Sequence, residues 1–248
     1  PKNTSVLAKL INLVTKDDDV ILDFFAGSGS TAHACLELNH EEESSRRFIL
    51  VQLPEPLDGS KKEQKAAYQY CVDSGVPVNI AEVSKARIKK AGEEIRERNP
   101  STQLDSGFKV FKLSSSNVQA WSPDLADLES SLLSYEEHLV KGRTEQDILY
   151  ELLLKRGVDL AVPIESREVG GKNIYSVGFG VLFACLDESI NRDQVEDIAQ
   201  EILGWQAELS PSSETHVFFR DSAFEDDVSK TNMAAILEQN GISHVRSL

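Results

Sequence analysis

Residues 20–34 read VILDFFAGSGSTAHA: a short apolar run, an aspartate, two aromatic residues, then Gly27, Gly29 and Ala32. The run from Val20 to Phe25 is rich in branched and aromatic side chains and too brief for a core helix. It has the composition of a strand buried on both faces of a parallel sheet. In STAHACLELNH, Ala32, Cys35 and Leu36 fall at helical spacing, and the pair Arg46-Arg47 introduces a second apolar run from Phe48 to Leu53. Strand, helix and strand within about thirty residues form a βαβ unit. An α/β fold with parallel strands follows.

The spacing of Gly27, Gly29 and Ala32 fits G-x-G-x-x-A, in which glycines turn the chain tightly and let a ligand approach the backbone at a helix N-terminus. Three ligands compete for such a turn. A dinucleotide calls for an acid at the end of the second strand to take the ribose hydroxyls; that strand ends in Gln52, with Glu55 three residues on. A phosphate-cradling loop calls for Gly-Lys-Ser/Thr, and the turn contains no lysine. S-adenosylmethionine has no phosphate and carries a cationic amino group, so it calls for a carboxylate near the loop, a place that Asp23 fills. A glycine turn with no ligand at all is the plain alternative.

Composition narrows the classes. The 248 residues hold 26 basic and 41 acidic side chains, a net charge of −15, which repels phosphate backbones and makes these residues by themselves a poor grip for DNA. No apolar run matches a membrane span and PKNTSVLAKL is not a secretory signal, so the cytoplasm is the expected compartment, with no membrane partner. Cys35, Cys71 and Cys185 are scattered and read as small buried apolar residues, with no metal role. The chain begins at Pro1 inside what reads as a structured segment, the pattern expected of a cut piece.

Elsewhere, Asn3 is an expected N-cap for a helix that aligns Val6, Leu10 and Leu13 or Val14 on one stripe. VSKARIKKAGEEIRERNP predicts a helix with Ile88, Ala91 and Ile95 inward, ending at Asn99-Pro100. GFKVFKL, at 107–113, alternates like a strand exposed on one face, and 117–157 reads as helical, closing on Lys155-Arg156-Gly157. The remainder predicts a Gly170-Gly171 hairpin, a further strand, a helix over 191–203, the strand THVFFR, the helix KTNMAAILEQNG and a last strand ISHVRSL. SVGFGVLF reads as a bulge or turn between strands rather than a second nucleotide loop. His33 and His40 are expected at or near the surface. Trp121 and Trp205 are expected as apolar anchors, not stacking platforms. The expected domains are 1–116, a helical connection at 117–157, and a second α/β unit at 158–248.

LDFFAGSGSTAHA resembles motif I of the permuted (β) class of amino-group DNA methyltransferases, D-P-F-x-G-S-G-T-T, with Phe24 in place of the proline and Ser30 in place of the first threonine. KNTSVLAKLI resembles the motif X of that class, with Asn3 in place of its proline. RRFILVQLPEPLD, GFKVFKL and SKTNMAAILEQNGISHVRSL are similar to the C-terminal part of the modification (Mod) subunit of type III restriction-modification systems. The resemblance implies a partial Rossmann-like methyltransferase sheet with a C-terminal α/β domain, and N6 methylation of an adenine flipped out of duplex DNA. It implies S-adenosylmethionine as cofactor: Asp23 on the methionine amino group, Phe25 lining the pocket, backbone contact at Gly27, Ser28, Gly29 and Ser30, Lys2 toward the carboxylate, and Gln52 with Glu55 at the ribose.

The catalytic D/N/S-P-P-Y/F tetrapeptide of that family does not occur in these 248 residues; SPDL at 122–125 is the nearest string. In the permuted order this motif and the target-recognition region precede motif X, so no catalytic residue is assigned here, and DNA is expected to be read through that upstream region. Residues 158–248 carry the competing reading, a module that joins Mod subunits to one another or to the restriction-helicase subunit. A nicotinamide enzyme ranks behind both.

Overall fold

The computed structural model describes residues 2–119 and 139–248. The chain divides into two compact units, Pro1–Lys109 and Val110–Leu248.

In the first unit, α1 (Thr4–Val14) starts where the Asn3 side chain accepts the Val6 N–H at 3.2 Å. It leads to β1 (Val20–Asp23), α2 (Ser30–Glu42), β2 (Arg47–Leu50), α3 (Lys65–Asp73) and α4 (Ile80–Arg98). The strands β1 and β2 pair in parallel, Val20 with Arg47 through Asp23 with Leu50, with α2 as the crossover. Alternation puts Ile21 on the same face as Phe48 and Leu50. Ile21 packs with Ile11, Ala34 and Leu38 of α1 and α2; Phe48 and Leu50 pack with Ala32, Leu36, Ile88 and Ile95 of α2 and α4. All three helices therefore cover one face.

The opposite face departs from the sequence expectation. Val20, Leu22, Ile49 and Val51 are 45–58% exposed, so β1 is not buried on both sides. The stripe Val6, Leu10, Leu13 and Val14 also points outward, because α1 meets α2 with its Leu7, Ala8 and Ile11 side instead.

At the end of the unit where α2 stops, Arg46 is 4% exposed and ties several elements together. Its Nε donates to Thr15 Oγ1 at 2.9 Å, its guanidinium donates to Glu42 at 3.1 Å and to Ser44, and its carbonyl accepts Asn39 Nδ2 at 2.8 Å. Such a buried cation persists because its donors are met by acceptors and a carboxylate.

In the second unit, α5 (Glu145–Arg156) opens with a Thr144–Asp147 capping box and closes on Gly157 at φ +68. A five-stranded sheet follows in chain order: β3 (Ile164–Val169), β4 (Lys172–Val177), β5 (Leu182–Cys185), β6 (His216–Phe219) and β7 (His244–Ser247). The first three are antiparallel neighbours, joined by the Gly170-Gly171 hairpin and the 178–180 turn. The last two join in parallel through α6 (Arg192–Leu209) and α7 (Asp227–Gln239). One face packs Ile174, Phe183 and Val217 against Ile198, Ile202, Trp205 and Leu237; the other packs Val177, Ala184 and Phe218 against Leu149, Leu152 and Leu153 of α5.

Two local expectations fail. Residues 107–113 form no strand, since alternation supplies no pairing partner. Within 117–157, the described helix is Glu145–Arg156, whereas 117–119 and 139–144 are not helical and Val118 bridges Leu139; the rest of that prediction, together with Trp121 and SPDL, falls on 120–138, outside the described residues.

Candidate functional site

The turn after β1 is knitted to the end of β2. Val51 N–H donates to Asp23 O at 2.9 Å and Ala26 N–H to Val51 O at 3.2 Å, while Gly29 N–H closes the turn onto Ala26 O at 3.0 Å. The Asp23 carboxylate is held from two sides: Oδ1 accepts Phe25 N–H at 3.1 Å and Oδ2 accepts Thr31 Oγ1 at 2.5 Å. One carboxylate thus stands at the strand end with its orientation set by the first turn of α2.

The glycines serve different ends. At Gly29, φ is +75 and an added Cβ would lie 2.7 Å from Ser84 Oγ, so the missing side chain is what lets α4 approach α2. At Gly27, φ is +55 and an added Cβ would meet nothing nearer than Phe25 O at 4.0 Å. That flank is open.

Phe24 and Phe25 place their ring centres 5.2 Å apart and are 61% and 80% exposed. Gln52, half-buried, spends its amide on the protein: Oε1 accepts Gly27 N–H at 2.7 Å and Nε2 donates to Leu53 O at 2.9 Å. Ser28 and Ser30 hydroxyls lie 3.4 Å apart. Asp23, Phe25, Gly27, Ser28, Gly29, Ser30 and Gln52 therefore gather around one turn. Glu55 is exposed in the loop beyond β2, where its carbonyl accepts Ile80 N–H at 3.0 Å. Lys2 lines a cleft of about 550 Å³ with Asn3, His33, Arg87, Lys90 and Glu94.

Thr31 and Arg87 went unnoticed in the sequence. Thr31 sits one helical step into α2, where its hydroxyl can reach back to Asp23. Arg87 Nη1 donates to Ser30 Oγ at 3.3 Å. His33 is half-buried and meets Glu37 at 3.5 Å, and His40 meets Thr102 Oγ1 at 3.3 Å. Trp205, 1% exposed, packs edge-on to Phe183 beneath the Arg167 guanidinium, a core anchor as expected. All three cysteines are buried and free; burial pushes the Cys35 thiol up to about 11 against the pull of Arg46.

An acid-ended strand, a glycine turn and an α-helix at the start of the chain coincide with a comparison of sequences: residues 1–56 match the family model for DNA methylase. Over 130 residues, 52% of the chain, it is 39% identical to the Mod subunit of the type III restriction-modification enzyme StyLTI from Salmonella typhimurium. The chain is similar to type III Mod subunits. Over 176 residues, 68% of the chain, this Mod-like sequence is 29% identical to the EcoP15I Mod subunit of Escherichia coli, and over 114 residues, 45% of the chain, it is 33% identical to the EcoPI Mod subunit of Escherichia phage P1. The matched parts make up 18%, 23% and 16% of those relatives, so the Mod-like chain spans less than a quarter of their length.

Proposed function

We propose that residues 1–109 are the S-adenosylmethionine-binding part of an adenine-N6 DNA methyltransferase of the type III Mod kind, with β1-α2-β2 belonging to a Rossmann-like sheet. The observation that carries this is the fixed Asp23 carboxylate beside the open flank of Gly27. The residues present suit the cofactor: Asp23 offers a charge for an ammonium group, the bare Gly27 flank leaves room against the backbone, and the exposed Phe25 ring offers apolar cover. When bound, S-adenosylmethionine supplies a methyl group activated by its sulfonium. Ser28, Gly29 and Ser30 border the amino-acid end, while Gln52, whose oxygen has a second lone pair, and Glu55 serve the ribose.

These 248 residues contain no D/N/S-P-P-Y/F string, so nothing in them holds an adenine nitrogen in line with the sulfonium, and such positioning supplies much of the barrier reduction. By themselves these residues therefore form an inactive cofactor-binding part, with DNA engaged outside them. Among the described residues no helix is long and apolar enough to cross a membrane.

Calorimetry with S-adenosylhomocysteine tests the reading: saturable heat with wild type, lost in Asp23→Ala. Equal heats for both proteins remove it, and saturable quenching of NADH fluorescence would revive a nicotinamide enzyme. Transfer of labelled methyl to DNA by these residues would contradict the account of where the catalytic groups lie.

A second reading concerns Val110–Leu248. The similarity to the EcoP15I Mod subunit covers 68% of the chain and so extends past residue 109, into a unit with a core of its own. It serves subunit assembly, joining a second Mod subunit or the restriction-helicase subunit. Light scattering and pull-down with the 110–248 unit check this, and a strictly monomeric unit that captures neither subunit would leave it unsupported.

A further inference from the structure

We infer that Arg87 receives the carboxylate of the cofactor's amino-acid end; this rests on the cofactor reading above. An amino acid bound as a zwitterion presents an ammonium and a carboxylate on the same carbon. Asp23 answers the ammonium. Its own negative charge, within a chain of net charge −15, repels the carboxylate unless a cation stands close by.

Arg87 is placed for that role. Along α4, Lys85 pairs with Glu82 at 2.7 Å, Lys89 with Glu93 at 3.9 Å and Lys90 with Glu94 at 3.6 Å. Arg87 has no carboxylate partner among the described residues, and its Nη1 donates to the Ser30 hydroxyl. Ser30 and Thr31 are consecutive in the first turn of α2, so the cation and Asp23 attach to neighbouring side chains of one turn. Arg87 also lines the 550 Å³ cleft, together with the cations Lys2 and Lys90 and with Glu94, whose carboxylate lies 3.6 Å from Lys90. A guanidinium is suited to a carboxylate because its planar fork donates two parallel hydrogen bonds.

The test compares S-adenosylhomocysteine with its decarboxylated analogue, which keeps the ammonium and loses the carboxylate, by calorimetry on the 248-residue chain. Wild type should prefer S-adenosylhomocysteine roughly tenfold or more, the scale of one charge-assisted pair. Arg87→Gln should erase that preference and leave affinity for the analogue unchanged, whereas Asp23→Ala should weaken both ligands. If Arg87→Gln weakens both equally, Arg87 merely supports Ser30, and the inference falls. If wild type binds both ligands equally well, the cofactor reading stands and the inference falls. Wild type that binds neither overturns the cofactor reading and this inference together. Should Arg87→Gln not fold, Arg87→Lys, which keeps the charge but loses the fork, should reduce the preference severalfold at an unchanged melting temperature, and an unaltered preference counts against the inference.

Discussion

Thr31 donates its hydroxyl to Asp23 across 2.5 Å, so the first turn of α2 orients the carboxylate that ends β1. Thr31→Val keeps the shape and removes the donor, leaving Asp23 with the Phe25 N–H. The expected cost is about 1 kcal/mol of stability, with a several-fold loss in affinity for S-adenosylhomocysteine, smaller than that of Asp23→Ala. Thermal melting and calorimetry on the two variants would show it, and a Thr31→Val effect equal to that of Asp23→Ala would mean that the threonine, not the aspartate, governs the site.

Gly29 should tolerate no side chain. Gly29→Ala combines a positive φ with a contact at 2.7 Å to Ser84 Oγ, and about 1–3 kcal/mol of destabilisation is expected. Adding Ser84→Ala relieves the nearest atom but neither the φ nor the Ser84 carbonyl at 3.1 Å, so the double variant should recover part of the loss. Denaturant melts of the three variants form the cycle. A single Gly29→Ala that melts with wild type would show that α2 and α4 do not meet this closely.

Adjacent residues of β1 should respond unequally to polar substitution. Ile21 packs under α1 and α2, whereas Leu22 is 58% exposed. Ile21→Asn should cost about 2 kcal/mol or more, while Leu22→Asn should stay within about 0.5 kcal/mol. Urea unfolding distinguishes them, and equal costs would mean that the outer face of β1 is covered in solution.

Much of this was legible in the sequence, and the parts that were not share a physical cause. The glycine turn, the Asn3 cap, the inward Ile88-Ala91-Ile95 row and the Gly157 cap are set by neighbours a few residues apart. The Gly29–Ser84 approach depends on residues 55 positions apart, and the glycine motif reads the same whether a ligand or a helix fills the missing Cβ. Periodicity marked the stripe Val6-Leu10-Leu13 of α1 but not which side α2 would take. Arg87 could have been found: Lys85, Lys89 and Lys90 each have a glutamate three or four places away, and Arg87 has none.

Acid should weaken the second unit through Glu151. Burial by itself would raise its carboxyl, but Lys155 at 2.8 Å, the Ser116 hydroxyl at 2.5 Å and the Asn117 N–H at 2.5 Å outweigh burial and hold it at about 2, against an ordinary 4.5. A carboxyl lowered on folding stabilises the fold above its unfolded value, and that contribution fades as pH falls from about 4.5 toward 2. Glu151→Gln should flatten the pH dependence of the melting temperature across this window. An unchanged slope would assign the acid sensitivity to other carboxylates, such as Asp226, which its bonds to Ser229 and Arg192 also hold at about 2.

The Arg46 cluster has a consequence for how the first unit breathes. It pins the end of α1, the end of α2 and the entry to β2 through a buried cation met by several acceptors, whereas at the opposite end the side-chain ties are Thr31 to Asp23 and Gln52 to Gly27 and Leu53, beside the backbone bonds of the turn. Openings should therefore start at the glycine turn and die out toward Arg46. In deuterated buffer the amides of 24–29 should exchange early and those of 39–47 late, and a cofactor should slow the first group while leaving the second as it was.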